Sequence, residues 1–156
     1  MILSDAAATD ALGRRLAAMV RPGDVIALDG PLGAGKTSLA RGLLSALGLA
    51  GEAPSPSFAI VQPYAPPETR LPVQHVDLYR IDDPSEIEEL GLDEALSDGV
   101  LLVEWPERAG PGRWPEAIVL SLAIREDGGR VLTARVPPAW KDRWPPTRSC
   151  LPAGPT

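Results

Sequence analysis

The run Gly30-Pro31-Leu32-Gly33-Ala34-Gly35-Lys36-Thr37 places three glycines, a lysine and a hydroxyl at a spacing that phosphate chemistry requires. Glycines let backbone N–H groups wrap phosphate oxygens, a lysine reaches the β and γ oxygens, and a hydroxyl reaches Mg²⁺. Gly30, Gly33 and Gly35 meet the first need, Lys36 the second and Thr37 the third. The segment reads as a phosphate-binding loop for Mg²⁺-ATP. Guanine specificity is disfavoured, because the chain has no Asn-Lys-x-Asp motif.

Such a loop needs a carboxylate at the end of a neighbouring strand, to hold Mg²⁺ or its waters. Two acids qualify. Glu104 closes the apolar run Val100-Leu101-Leu102-Val103, and Asp77 sits within His75-Val76-Asp77-Leu78-Tyr79. Glu104 is the stronger candidate, because its strand is purely apolar and stops at the acid. His75, the only histidine, reads as a packed or hydrogen-bonded structural residue before it reads as a catalyst. Arg80, Arg108 and Arg113 are each candidates for an arginine finger, with surface ion pairing as the simpler role. Trp105 divides evenly between packing near the nucleotide or a partner and plain core packing.

The elements that must position these residues follow from periodicity. Ser4 or Asp5 caps a helix that runs to about Val20, with Leu12, Leu16, Met19 and Val20 on one face. A buried strand over 25–28 leads into the glycine loop, and a helix over 36–47 follows it, with Gly48 as its stop. Strands are expected over 58–64 and 73–79, joined through a proline-rich connection. A short acidic helix is expected over 84–90, another helical turn over 93–96 and a buried strand over 100–103. Residues 118–124 and 131–136 flank Glu126-Asp127-Gly128-Gly129-Arg130 as a β-hairpin. The fold class is therefore α/β, a three-layer P-loop NTPase whose mixed sheet has a parallel centre and an antiparallel edge hairpin.

Length allows one domain, expected over 1–138, with a proline-rich tail over 139–156 that lacks periodicity. Eighteen prolines, roughly twice the usual 5%, mark loops and tail. A net charge of −6 argues against nucleic-acid binding by this chain alone. The single cysteine, Cys150, permits no intrachain disulfide, which suits a reducing compartment. The N-terminus lacks the pattern of a signal peptide, and no apolar run approaches a membrane span, so a cytoplasmic location is expected.

Four segments together resemble one small family: Gly33-Ala34-Gly35-Lys36-Thr37, Ser55-Pro56-Ser57-Phe58, His75-Val76-Asp77-Leu78-Tyr79-Arg80 and Val103-Glu104-Trp105-Pro106-Glu107. The chain is similar to the TsaE (YjeE) family, ATPase components of bacterial tRNA threonylcarbamoyladenosine synthesis, over about residues 4 to 136. The resemblance implies that Leu32, Gly33, Ala34, Gly35, Lys36, Thr37 and Ser38 hold phosphates. It implies that Thr37 and Glu104 are the Mg²⁺ ligands and that Asp77 assists the metal or the attacking water. Thr9, within Thr9-Asp10-Ala11-Leu12-Gly13, would contact the nucleotide, and Arg130 would reach its edge. Ser55 to Phe58 would form a switch-like loop. The implied partner is the TsaB–TsaD protein complex, with tRNA engaged only indirectly and no membrane involved. Pro31 departs from the acidic residue usual in the family, and Ser57 from threonine. The competing readings are a small-molecule kinase and a nucleotide-gated binding module with negligible turnover.

Overall fold

The computed structural model describes residues 1–51, 61–110 and 112–145. Seven strands form one sheet: β1 (Ile2–Leu3), β2 (Val25–Asp29), β3 (Val61–Tyr64), β4 (Val73–Asp77), β5 (Val100–Glu104), β6 (Ile118–Ile124) and β7 (Arg130–Arg135). Their order is β1-β7-β6-β2-β5-β4-β3. β2 runs parallel to β5 and β6, and β4 parallel to β5. β3 pairs antiparallel with β4, β7 with β6 and β1 with β7. The parallel centre and the antiparallel hairpin edge are those expected from the sequence. β1 was not anticipated, because two residues carry no readable periodicity.

Helices α1 (Ala6–Ala17) and α2 (Lys36–Ala46) cover one face. Asp5 caps α1, its carboxylate accepting from the Ala8 N–H at 2.8 Å. Leu12, Leu16, Leu39, Leu43 and Leu44 are buried between the helices and the sheet. Burial of each such leucine contributes roughly 1.5–3 kcal/mol. The helices cross closely because Gly13 and Gly42 stand at the crossing. A Cβ on Gly13 would lie 2.3 Å from the Leu39 carbonyl oxygen, and one on Gly42 2.5 Å from that of Asp10.

A smaller core on the opposite face joins Val25, Ala27, Val76, Leu78, Ile87, Leu92, Leu101 and Val103. The acidic segment Pro84–Leu90 is a 3₁₀ helix rather than an α-helix, opened by Asp83 and closed at Gly91. α3 (Leu92–Ala95) and a 3₁₀ turn at Pro106–Ala109 follow. β4 stops two residues short of the expected Tyr79, because the Asp77 carboxylate accepts from the Tyr79 N–H at 2.9 Å and turns the chain.

The stretch expected from 139 as a proline-rich tail without periodicity is packed onto the domain over its described residues. Pro138–Trp140 forms a 3₁₀ turn, and Trp140 is wholly buried in the α1/α2-side core. Arg143 forks onto Asp24 at 2.7 and 3.0 Å. Trp140, Trp144, which packs partly buried against the same core, and Arg143 gave this segment anchors that periodicity could not reveal. The remainder of the expected tail, from 146 on, lies outside the described residues. So do the first residues of the strand expected over 58–64. No helix among the described residues is long and apolar enough to cross a membrane.

Candidate functional site

The strand alternation that packs the sheet also aims the chemistry. On β5, Val100 and Leu102 face the α1/α2 core, and Leu101 and Val103 face the other. Glu104 therefore falls on the helix side, two residues beyond Leu102. On β4, Val73 faces the same core, so His75 and Asp77 share its side. Asp77 and Glu104 are register partners at the C-terminal ends of adjacent parallel strands. Ligands bind in the crevice beyond such strand ends.

β2 ends beside them and turns at Gly30, where a Cβ would lie 2.5 Å from the Leu122 carbonyl oxygen. The loop closes at Gly35, the N-cap of α2, in the left-handed region with φ 104°. No side chain caps α2, so its first N–H groups and positive dipole end are open to an anion. Above them lies a cavity of about 370 Å³, lined by residues 32–38 with Asp77, Tyr79, Arg80, Glu104 and Trp105.

The Thr37 hydroxyl donates to Glu104 Oε1 at 3.1 Å. The other oxygen, Oε2, lies 2.6 Å from His75 Nε2, and both side chains are buried. Lys36 donates to the Gly30 carbonyl, lies 3.4 Å from that of Pro31 and rests 3.7 Å from the Trp105 ring centroid. Burial holds its pKa below the usual lysine value, opposed by Glu104, Glu107, Asp77 and Asp29. Burial raises the Asp77 carboxyl, the Tyr79 N–H pulls it back, and the Glu104 charge raises it further. Trp105 sits at φ 59°, a conformation costly for a bulky residue, and its ring tilts against Tyr79 at 5.0 Å.

A Thr37 hydroxyl beside an aligned carboxylate supplies the hard oxygen donors that Mg²⁺ takes. Among the described residues no cluster of three His, Cys, Asp or Glu could hold a metal alone.

The other residues expected at the site divide. Thr9 is buried, and its methyl backs the loop where a Gly35 Cβ would come within 3.5 Å. Thr9, Ser38 and Arg130 line a smaller cavity of about 120 Å³ on the loop's other flank. Arg130 braces the loop: Nε donates to the Ala34 carbonyl at 3.0 Å and Nη2 to that of Gly33 at 2.9 Å. Leu32 projects from the loop tip, 66% exposed. Arg108 lies over the Tyr79 ring at 5.7 Å, whereas Arg113 pairs with Asp93 at 3.4 Å, outside the phosphate cavity. The switch-like segment 55–58 lies outside the described residues. Sequence reasoning did not select Tyr79 as a site residue. Its place two positions after Asp77, at the strand end, was the available signal.

This arrangement of sheet, loop and strand-end acid defines the P-loop NTPase fold class. Residues 3–132 match the family described as "Threonylcarbamoyl adenosine biosynthesis protein TsaE", and the chain belongs to that family. It is 48% identical over 117 residues to the Streptomyces coelicolor "tRNA threonylcarbamoyladenosine biosynthesis protein TsaE", covering 74% of this chain and 76% of the relative. A Rickettsia felis protein of the same name is 34% identical over 132 residues, covering 84% and 76%. The crystal structure of Bacillus subtilis YdiB superposes with a TM-score of 0.76 at 30% identity, covering 91% of this chain and 88% of that one.

Proposed function

We propose that this chain is a Mg²⁺-dependent ATPase that serves threonylcarbamoyladenosine modification of tRNA in the cytoplasm, as an accessory to the TsaB–TsaD complex. The observation that carries the ATPase reading is the Thr37–Glu104 hydrogen bond of 3.1 Å at the mouth of the glycine loop. The pathway rests on family membership and on the printed names of the relatives. In this reading the loop amides and α2 orient the triphosphate, and Lys36 leaves the Gly30 carbonyl for the β and γ oxygens. Thr37 and Glu104 would hold Mg²⁺, which neutralises charge building on the transferring phosphoryl group. Asp77 orients the attacking water, and Thr9 and Arg130 keep the loop in shape beside the nucleotide.

Steady-state phosphate release is the test, measured for the chain alone, with tRNA, with the purified TsaB–TsaD pair and with both. Slow turnover alone and acceleration by the pair support the accessory role. Strong stimulation by tRNA with none from the pair sinks it.

The small-molecule kinase reading has one structural observation in its favour. A cavity of about 670 Å³ beyond Asp29 is lined by Glu107, Gly110, Gly112, Arg113, Trp114 and Arg135. Accumulation of a phosphorylated metabolite, in place of free phosphate, would select it.

A further inference from the structure

His75 lies in the middle of β4, wholly buried, and its imidazole uses one nitrogen only. Nε2 is 2.6 Å from Glu104 Oε2, while Nδ1 is buried and has no partner among the described residues. For plain packing this is a poor choice of residue. An apolar side chain of similar size would fill the strand position without leaving a buried nitrogen unsatisfied. The polarity at this position is therefore spent on Glu104.

An ionised carboxylate can only accept hydrogen bonds, so Nε2 carries the proton it shares with Glu104. The second carboxylate oxygen, Oε1, accepts from the Thr37 hydroxyl at 3.1 Å. Glu104 is held at both oxygens, from behind by β4 and in front by α2. With the rear contact removed, the carboxylate would turn about its last torsion, and Oε1 would lose its alignment with Thr37. Partners of this kind, behind a metal-binding carboxylate or imidazole, commonly set affinity by ten- to a hundred-fold when mutated.

We propose that His75 is the positioning residue of this site: its Nε2–H locks the Glu104 carboxylate so that Oε1 faces Thr37 and the divalent cation. This rests on the reading of Glu104 as the metal-side acid. His75 touches neither nucleotide nor metal in this role, and it takes no part in proton transfer.

Two measurements test it. Because the chain has a single histidine, the ¹⁵N imidazole signals of the nucleotide-free protein belong to His75 alone. The expected result is a proton on Nε2. The Nε2 proton should exchange slowly with water and shift in Glu104→Gln. An Nε2 without a proton, or fast exchange at Nε2, overturns the proposal.

The second is Mn²⁺ affinity in the presence of ATP, read by the loss of free-ion electron paramagnetic resonance signal. His75→Leu should weaken Mn²⁺ binding about ten- to a hundred-fold while ATP affinity in chelator stays unchanged. His75→Gln keeps an N–H at the position of Nε2 and should restore most of the loss, which a packing role alone would not do. Equal Mn²⁺ affinity in wild type, His75→Leu and His75→Gln, with Glu104→Ala impaired, overturns the role of His75 and leaves the metal reading standing. If Glu104→Ala also binds Mn²⁺ as wild type does, the metal reading falls and the proposal falls with it.

Discussion

The Lys36 ammonium rests 3.7 Å from the centroid of the Trp105 ring, and Trp105 is held at a positive φ of 59°. Among the described residues no other non-glycine has positive φ. The lysine to which the proposed function gives the phosphates is thus parked on its own loop carbonyls and an aromatic face. In that proposal a triphosphate draws it away. Trp105 fluorescence is therefore expected to change on ATP addition, and Trp105→Phe to abolish that change while Trp114→Phe retains it. A signal that survives in Trp105→Phe would contradict the parked-lysine arrangement.

Lys36→Ala removes a charge-assisted contact of about 1.5–3 kcal/mol, roughly ten- to a hundred-fold in Kd for ATP. Calorimetry on the folded variant checks it, and wild-type affinity would refute the phosphate role.

The same lysine sets a pH dependence. Burial lowers its pKa in the free protein, below the ordinary value of about 10.4. Bound phosphate favours the charged form and raises it again. ATP affinity should fall as pH rises through the lowered Lys36 pKa. The fall begins at lower pH than an ordinary lysine would give. Lys36→Arg, always charged, should lack that fall across the same range.

Asp77 has the opposite displacement, its carboxyl raised chiefly by burial. A folded-state pKa above the unfolded one means that stability declines as pH rises from the unfolded value through the folded one. Near neutrality the charge is a net cost to the fold. Asp77→Asn keeps the carbonyl that accepts from the Tyr79 N–H and removes the charge. It should raise the thermal midpoint at neutral pH, with the gain shrinking to nothing in acid, while phosphate release is lost. An unchanged or lower midpoint at neutral pH would count against a strained, functional carboxylate.

Trp140 is wholly buried in the core, and Arg143 donates to Asp24 and to the Met19 carbonyl. Trp140→Ala should cost about 3–5 kcal/mol in denaturant unfolding. At fully folded concentrations ATP affinity should persist, since the ring packs away from the glycine loop. A loss below 1 kcal/mol would mean that the segment after residue 137 adds little to the domain.

Gly13→Ala tests the helix crossing. The new methyl would press on the Leu39 carbonyl oxygen at 2.3 Å, so a loss of at least 1–3 kcal/mol is expected despite the better helix propensity of alanine. Stabilisation instead would show that α1 and α2 can separate freely.

What the sequence alone determined is what is local in the chain. The glycine loop, its lysine and its hydroxyl are contiguous, so eight residues were enough to read a phosphate-binding loop from the sequence. Strand β5 was legible because an apolar run ends at Glu104, and the β6–β7 hairpin because turn residues separate two alternating segments. Relations across long separations were decided only by the tertiary structure. His75 and Glu104 are 29 positions apart, and only the pairing of β4 with β5 makes them neighbours. Arg130 reaches the Gly33 carbonyl across 97 residues because β7 folds back beside the loop. Trp140 is core rather than tail for the same reason. Periodicity reports which face of an element is apolar, but not which distant element will cover it; that is settled by the packing of the sheet.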